Sequence, residues 1–263
     1  MAVLLDLSGV TLGFSGNVVL QDVRFSIDAG TITSLIGPNG AGKTSLFNCI
    51  TGFYKPQRGS ISFDGAAMLA LKPFQVTRAG IARTFQNVRL FREMSVIENV
   101  MSGQHCRTSA GAIGAILRLP SQRREEQRIR QHAAECLRFV GIAAEDWERD
   151  ASTLAYGHQR RVEIARALAT EPKLLLLDEP AAGLTKGEKA ELVELIGRIR
   201  DERGVAVLLI EHDTGLVMRI SERVSVLDHG VMIAEGSPKD IQANPKVIEA
   251  YLGAEDAEAA LAL

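Results

Sequence analysis

The sequence has few cysteines, no excess of basic residues and no long hydrophobic run. Its three cysteines, Cys49, Cys106 and Cys136, form no C-x-x-C pair and no metal-ligand spacing. This pattern indicates a reducing compartment, in which we expect the thiols to be buried small hydrophobes. The formal net charge of -2 argues against a surface built to neutralise nucleic-acid phosphates. We therefore expect no nucleic-acid partner.

The apolar runs are too short to cross a bilayer, which takes about 20 consecutive apolar residues. The clearest are Ala110 to Leu117 and Leu174 to Leu177. The first residues lack the positively charged region and cleavage site of a secretory signal, so we expect no export. If the protein works at a membrane, we expect another subunit to cross it.

The order of predicted elements indicates an α/β core interrupted by a helical insert. Four strands are expected in the first part of the chain: Val10–Phe14, Val23–Ile27, Thr31–Ile36 and Ser60–Phe63. From about residue 88 to residue 153 the strand signals vanish, and one helical face carries Ile129, Ala133, Leu137 and Val140. After Gly157 strands and helices alternate again.

A second helix, from Lys186 to Arg203, has clear end signals. Thr185 and Glu188 form a T-x-x-E capping box before it, and Gly204 can terminate it. Its buried face should carry Leu192, Leu195, Ile196 and Ile199. Two stretches are less informative: 110–115 is a loose helix, a loop or a partner contact, and the Ala- and Glu-rich tail 254–263 is expected to fray.

The segment GPNGAGKT fits the phosphate-binding pattern G-x-x-x-x-G-K-[ST]. It follows the apolar strand TITSLI and precedes a helix with Leu46 and Ile50, which is the context that the pattern requires. Glycines let backbone N–H groups point at phosphates, and the helix N-terminus favours an anion. We expect Lys43 to reach the β- and γ-phosphates and Thr44 to ligate Mg²⁺. The predicted ATP-binding loop is Gly37, Pro38, Asn39, Gly40, Ala41, Gly42, Lys43 and Thr44.

Two acids follow the apolar run Leu174 to Leu177. This run reads as a buried parallel strand, and open α/β sheets bind ligands at the carboxyl ends of such strands. Asp178 is the predicted Mg²⁺ ligand, and Glu179 is the predicted general base that polarises the attacking water.

Four more features, in this order and spacing, resemble the ABC transporter ATPases over nearly the whole chain. They are Gln86 after IARTF, LAYGHQRRVEIARALA from Leu154, AAGLT after Pro180, and His212 after VAVLLIE. The resemblance implies that Gln86 is the Q-loop glutamine, which touches Mg²⁺ and water and links the site to a transmembrane partner. It also implies that His212 contacts the γ-phosphate.

The resemblance further implies that Leu154, Ala155, Tyr156, Gly157 and His158 form the signature loop, which closes over ATP on a second subunit. This loop departs from the common form LSGGQ at Ala155, Tyr156 and His158, so the serine hydroxyl is lost. Gly157 and the helix N-terminus can still face phosphate. His158 either substitutes for the amide or senses pH.

Two other positions follow from the same resemblance. Phe14 matches the aromatic residue that stacks on adenine, with burial in the strand core as the alternative. Thr185 stands where the family usually has Asp, and the capping box assigns it a local structural role.

The resemblance implies a P-loop NTPase (RecA-like) core with an N-terminal antiparallel β subdomain and an inserted α-helical subdomain. The expected parts are 1–87 (β subdomain and P-loop), 88–156 (helical subdomain), 157–236 (second part of the core) and 237–263 (C-terminal extension). The cofactors would be ATP and Mg²⁺.

Several segments look like the LivG-like ATPase of branched-chain amino-acid importers, among them ITGFYKPQRGSISFDG, IARTFQNVRLF and the terminal AYLG. Such a system implies a second ATPase subunit in a hetero- or homodimer, two permease subunits, an extracytoplasmic binding protein, and a location on the cytoplasmic face of the inner membrane.

Other functions stay open at this point. ATPases of amide or urea importers and of lipopolysaccharide exporters are similar, although the long insert argues against the exporter. A DNA-repair ABC protein would contain long coiled coils, and a translation factor would carry two cassettes. A P-loop kinase would not explain the signature run or His212.

Overall fold

The computed structural model describes residues 2–106 and 120–252. The stretch 110–115 and the tail 254–263 lie outside these residues. The strands are β1 (Val3–Phe14), β2 (Asn17–Asp28), β3 (Ile32–Ile36), β4 (Arg58–Phe63), β5 (Ala66–Ala67), β6 (Ile81–Arg83), β7 (Leu174–Asp178), β8 (Ala206–Ile210), β9 (Arg223–Asp228) and β10 (Val231–Gly236). The helices are α1 (Lys43–Ile50), α2 (Pro73–Ala79), α3 (Val96–Ser102), α4 (Pro120–Phe139), α5 (Tyr156–Leu168), α6 (Lys186–Arg203), α7 (Thr214–Ile220), α8 (Pro238–Gln242) and α9 (Pro245–Leu252).

The strands form two sheets. The first is antiparallel with the order β2-β1-β4-β5. The second has the order β10-β9-β3-β8-β7-β6, and its strands run parallel except β10, which runs antiparallel to β9. Every residue of β3, β7 and β8 is buried, as expected when elements cover both faces of a parallel sheet. The predicted α/β class with an antiparallel β sheet is confirmed.

The region between β6 and α5 is helical where it is described. Helices α3 and α4 pack against each other and against α5, and their apolar side chains join one core cluster. Ala133, Leu137 and Val140 of the predicted face are buried, whereas Ile129 is half-buried. No helix in the described part of the chain is both long and apolar enough to cross a membrane.

The end signals of α6 are confirmed. Thr185 Oγ1 accepts a hydrogen bond from Glu188 N (3.4 Å), and Glu188 Oε2 accepts one from Thr185 N (2.8 Å). Gly204 caps the helix with φ 64°, and Leu192, Leu195, Ile196 and Ile199 are buried. The expectation for the cysteines is right for Cys49 and Cys136 but wrong for Cys106, which is only half-buried in a short 3₁₀ turn.

The sequence reading missed the C-terminal end of the core. Strands β9 and β10 form a hairpin, and α8 and α9 follow it. Their apolar side chains form a cluster with the last residue of β3: Ile36, Val217, Val224, Val226, Ile241 and Val247. Helices α8 and α9 therefore pack against the residue that precedes the phosphate-binding loop.

Candidate functional site

The predicted phosphate-binding loop lies between β3 and α1, and two of its glycines cannot be replaced without a clash. Gly37 has φ 148°, and a Cβ there would lie 1.9 Å from the Leu227 carbonyl oxygen. Gly42 has φ 105°, and its Cβ would lie 3.0 Å from the Val19 carbonyl oxygen. Both backbones require glycine, because other residues rarely adopt a positive φ and a side chain would displace the neighbouring strands.

Lys43 is buried inside this loop, with an exposed fraction of 7%. Its Nζ donates hydrogen bonds to the carbonyl oxygens of Gly37 (2.6 Å) and Pro38 (2.9 Å). Burial lowers the pKa of Lys43, while the charges of Glu179 and Asp178 act in the opposite direction. The ammonium group thus lies near both acids.

The other loop residues differ in exposure. Asn39, Gly40 and Thr44 are exposed, Pro38 is half-buried, and Ala41 is buried. Thr44 occupies the first turn of α1, where N–H groups of the helix have no partner within the helix. The loop therefore presents a helix N-terminus and a hydroxyl group to solvent, which suits a phosphate and a metal ion.

The three residues predicted to be catalytic lie together. Gln86 Nε2 donates to Glu179 Oε2 (2.7 Å), and His212 Nε2 lies 2.8 Å from Glu179 Oε1. Their sequence separations are 93 and 33 residues, so the contact depends on the sheet that brings β6, β7 and β8 side by side. The carboxylate of Glu179 is held on both oxygens.

Glu179 also has a strained backbone, with φ 47°. A non-glycine residue in this region costs on the order of 1–3 kcal/mol, and such strain is concentrated at functional sites. Two contacts hold the conformation: Glu179 N donates to Ile210 O (2.9 Å), and the buried Glu211 accepts from Ala181 N (2.7 Å). Burial raises the pKa of Glu211, although the backbone N–H groups that it accepts from oppose this.

Asp178, the predicted metal ligand, forms a buried ion pair. Its Oδ2 lies 2.8 Å from Arg83 Nη2, and the two side chains are 6% and 7% exposed. Arg83 also donates to Asn48 Oδ1 (2.6 Å) on α1. The sequence reading missed Arg83, although an arginine in the short apolar strand β6 is an unusual residue that could have signalled a buried partner.

The predicted signature residues surround the start of α5. Leu154 is buried, Ala155 precedes the helix, and Tyr156 and His158 are exposed. A Cβ at Gly157 would lie 2.3 Å from Glu188 Oε1. Because the capping box with Thr185 fixes that carboxylate, position 157 has no room for a side chain. The tyrosine ring lies against Gly183, whose Cβ would be 3.2 Å from Tyr156 Cε1.

Phe14 lies at the end of β1 and is 45% exposed. Its ring meets Tyr54 edge to face, with centroids 5.1 Å apart and planes at 71°. The alternative that Phe14 belongs to the strand core is therefore wrong. An exposed ring face is available for stacking.

Replacing Phe14 with alanine should weaken ATP binding by about 10-fold, because stacking of an aromatic side chain on a base contributes on the order of 1–3 kcal/mol. The dissociation constants of ATP and of inorganic triphosphate, measured by calorimetry, test this. Phe14→Tyr keeps the ring and should bind ATP as the parent chain does. Equal weakening of triphosphate binding, which has no base, would contradict the stacking role.

A residue of the C-terminal helix also reaches the loop. Tyr251 packs beside the cluster that contains Ile36, and its hydroxyl is hydrogen-bonded to the backbone of Gly37. Burial raises the pKa of Tyr251 to about 12. The sequence reading noted the segment AYLG only as part of a resemblance and assigned it no contact.

The chain is similar to known proteins over most of its length. The family model of the ABC transporter matches residues 20–182, and a model described as branched-chain amino acid ATP-binding cassette transporter matches residues 231–257. The high-affinity branched-chain amino acid transport ATP-binding protein LivG of Escherichia coli is 48% identical over 250 residues, which cover 95% of this chain and 98% of LivG.

Two solved structures are similar in fold. The ADP conformation of MJ1267, an ATP-binding cassette of an ABC transporter, has a TM-score of 0.83 and 31% identity and covers 96% of this chain and 100% of its own. A dimeric post-hydrolysis state of the ATP-binding cassette MJ0796, bound to ADP and Pi, has a TM-score of 0.73 and 25% identity. The match covers 89% of this chain and 98% of the MJ0796 chain.

Proposed function

The chain belongs to the ATP-hydrolysing, ATP-binding subunits of ABC transporters, and from that premise we propose that it powers an importer of branched-chain, hydrophobic amino acids. The match of residues 231–257 to a branched-chain amino acid transporter model supports the solute class, and so does the name of the LivG relative. The hydrolytic part rests on one observation: Glu179 held between Gln86 and His212 beside the buried Lys43.

In this proposal, the P-loop residues Gly37 to Thr44 bind the phosphates of ATP, with Lys43 contacting the β- and γ-phosphates. Thr44, Gln86 and Asp178 would hold Mg²⁺, since hydroxyl, amide and carboxylate oxygens are the donors this ion prefers. The ion would neutralise charge on the phosphates. Arg83 orients Asp178 through the buried ion pair, because the guanidinium group fixes one carboxylate oxygen in place.

Glu179 then acts as the general base. Its two oxygens accept from Gln86 and contact His212, so the carboxylate is oriented before ATP arrives. Such fixed positioning accounts for most of the catalysis in phosphoryl transfer, because the reaction needs little covalent participation by the protein. His212 lies at the end of β8, from which it would reach the γ-phosphate, and Phe14 would stack on adenine.

We further propose that the signature residues Leu154 to His158 complete the ATP site of a second ATPase subunit. In this chain they contact Gly183 and Glu188 of the following turn and helix, and Tyr156 and His158 face solvent. The similarity to a dimeric cassette supports this arrangement. The backbone N–H groups at the N-terminus of α5 would face the phosphates of that second site.

The permease subunits would bind at a groove between the core and the helical region. It has a volume of about 580 Å³ and is lined by residues that include Phe74, Phe85, Arg89 and Phe91. Phe74 and Phe91 are 62% and 53% exposed, and exposed apolar side chains clustered at a groove mark interaction surfaces. We place the subunit on the cytoplasmic face of the inner membrane, with an extracytoplasmic binding protein delivering the solute.

Reconstitution tests this proposal. The chain would be purified with two permease subunits and a second ATPase subunit from the same genome, inserted in lipid vesicles and supplied with a binding protein. Leucine, isoleucine or valine should stimulate ATP hydrolysis and accumulate in the vesicles, whereas acetamide and urea should not. Stimulation by an amide or urea alone would move the assignment to that importer class, and a neighbouring lipopolysaccharide-type permease pair would refute import.

A further inference from the structure

The largest side chain that is fully buried in the described part of the chain is an arginine. Arg160 on α5 has no exposed surface, and Glu163, one turn later on the same helix, is 1% exposed. Arg160 Nη1 lies 2.9 Å from Glu163 Oε2. Burying two charges is costly, and an ion pair of this kind seldom adds net stability over an apolar pair of the same size. We therefore look for a role of the Arg160–Glu163 pair other than stabilising the fold.

The guanidinium group reaches from α5 to the backbone that carries Gln86. Its Nη1 donates to the Phe85 carbonyl oxygen (2.7 Å), and its Nη2 donates to the Gln86 carbonyl oxygen (2.6 Å). These bonds join positions 75 and 74 residues apart. Two carbonyls held by one planar group fix both the position and the direction of the chain, which a lysine with its single nitrogen could not do.

Glu163 contacts the backbone N–H groups of the same segment. Its Oε1 accepts from the backbone N–H groups of Phe85 and Arg89, both at 3.4 Å. The segment between Phe85 and Arg89 forms no helix or strand, so these side-chain contacts take the place of a backbone ladder. Burial raises the pKa of Glu163, against the opposing effect of Arg160.

The arginine also contacts the signature loop. Arg160 Nη2 donates to the Tyr156 hydroxyl (3.2 Å), and the tyrosine ring packs against Gly183. At the other end of the same connection, the side chain of Gln86 donates to Glu179. The buried guanidinium group of Arg160 thus joins the start of α5 to the backbone of Gln86, whose side chain contacts the proposed base Glu179.

We propose that Arg160, paired with Glu163, is a positioning residue that fixes Gln86 in reach of Glu179 and makes the start of α5 and the segment 85–89 move as one unit. The proposal rests on the function proposed above for Gln86. It predicts a large effect on turnover, because Gln86 orients the carboxylate, and a small effect on ATP binding, because the pair reaches the signature loop only through the Tyr156 hydroxyl.

The central variant is the double replacement Arg160→Met with Glu163→Leu, which removes both charges of the pair. Arg166, which lies 4.0 Å from Glu163, keeps part of its side chain exposed to water. We expect kcat to fall by about 10- to 100-fold, as misplacement of a positioned group does, with a KM for ATP within about 2-fold of the parent. Arg161→Met is the matched control, since Arg161 lies on the same helix but contacts Val140 and Glu191 instead. It should leave kcat unchanged.

A cycle with Gln86→Ala separates positioning from general damage. If Arg160 acts through Gln86, the double replacement should cause almost no further loss of kcat in a chain that already carries Gln86→Ala. The proposal would be overturned if the fold-reductions in kcat caused by Gln86→Ala and by the double replacement multiply when the changes are combined. A folded double variant with the parental kcat would also overturn it.

Hydrogen exchange provides a measurement that does not depend on activity. The amides of Phe85 and Arg89 should lose protection in the double variant, while those of β7 and β8 keep theirs. If Gln86→Ala leaves kcat unchanged, the function proposed for Gln86 fails. The hydrogen-exchange data alone then decide whether Arg160 and Glu163 hold the segment 85–89 in place. If the double variant does not fold, the single variants Arg160→Lys and Glu163→Gln, which nearly preserve side-chain volume, are measured in the same way. Unchanged hydrogen exchange and unchanged kcat in both would reject the positioning role of Arg160 and Glu163.

Discussion

Replacing Glu179 with glutamine should lower the rate of ATP hydrolysis by about two to four orders of magnitude while ATP binding persists. The amide has the size and shape of the carboxylate, so the contacts with Gln86 and His212 can be kept, but it cannot accept a proton from water. The positive φ of Glu179 is retained as well, because the backbone is unchanged. Phosphate release at saturating ATP and Mg²⁺ measures the rate, and fluorescence titration measures binding.

Glu202→Gln is the matched control for this experiment. Glu202 lies on α6 and pairs with Arg198 at the surface, so its replacement should leave hydrolysis unchanged. Turnover of the Glu179→Gln protein at the parental rate would show that another group is the base. Loss of ATP binding together with turnover would instead mean that the substitution disturbs the strained turn after β7.

Replacing Lys43 with alanine should weaken ATP binding itself, by about 10- to 100-fold, since hydrogen bonds to a charged group contribute about 1.5–3 kcal/mol. The lysine is buried and donates to two loop carbonyls, so its loss also removes contacts that shape the loop. Calorimetry measures the dissociation constant. The rise in melting temperature at a given ATP concentration should become smaller, because that rise follows from ligand binding to the folded state.

Lys173→Ala serves as the comparison for Lys43. Lys173 pairs with Asp64 at the surface and should bind ATP as the parent chain does. Unchanged ATP affinity in the Lys43→Ala protein would remove the claim that Gly37 to Thr44 hold the nucleotide. The two replacements also separate the proposed roles, since Glu179→Gln should affect the chemical step and Lys43→Ala should affect ATP binding.

Local patterns made much of the fold predictable. The P-loop, the buried strand before Asp178 and the capping box of α6 each depend on residues that are neighbours in sequence, and their physical requirements can be read from spacing alone. The lengths of β1 and β2 were underestimated, because irregularities in their pairing interrupt the alternation. The hairpin of β9 and β10 was missed.

The sequence by itself determined that the chain has an α/β core with a loop of the phosphate-binding type at Gly37 to Thr44, because glycine, lysine and a preceding strand suffice to specify such a loop. Only the tertiary structure decided which charges meet inside the protein. Arg83 pairs with Asp178, which is 95 residues away in the sequence, and Arg160 donates to the backbone carbonyl of Gln86, which is 74 residues away. A buried charge needs a partner, but its partner is chosen by the packing of sheet and helices, and no local spacing records that choice.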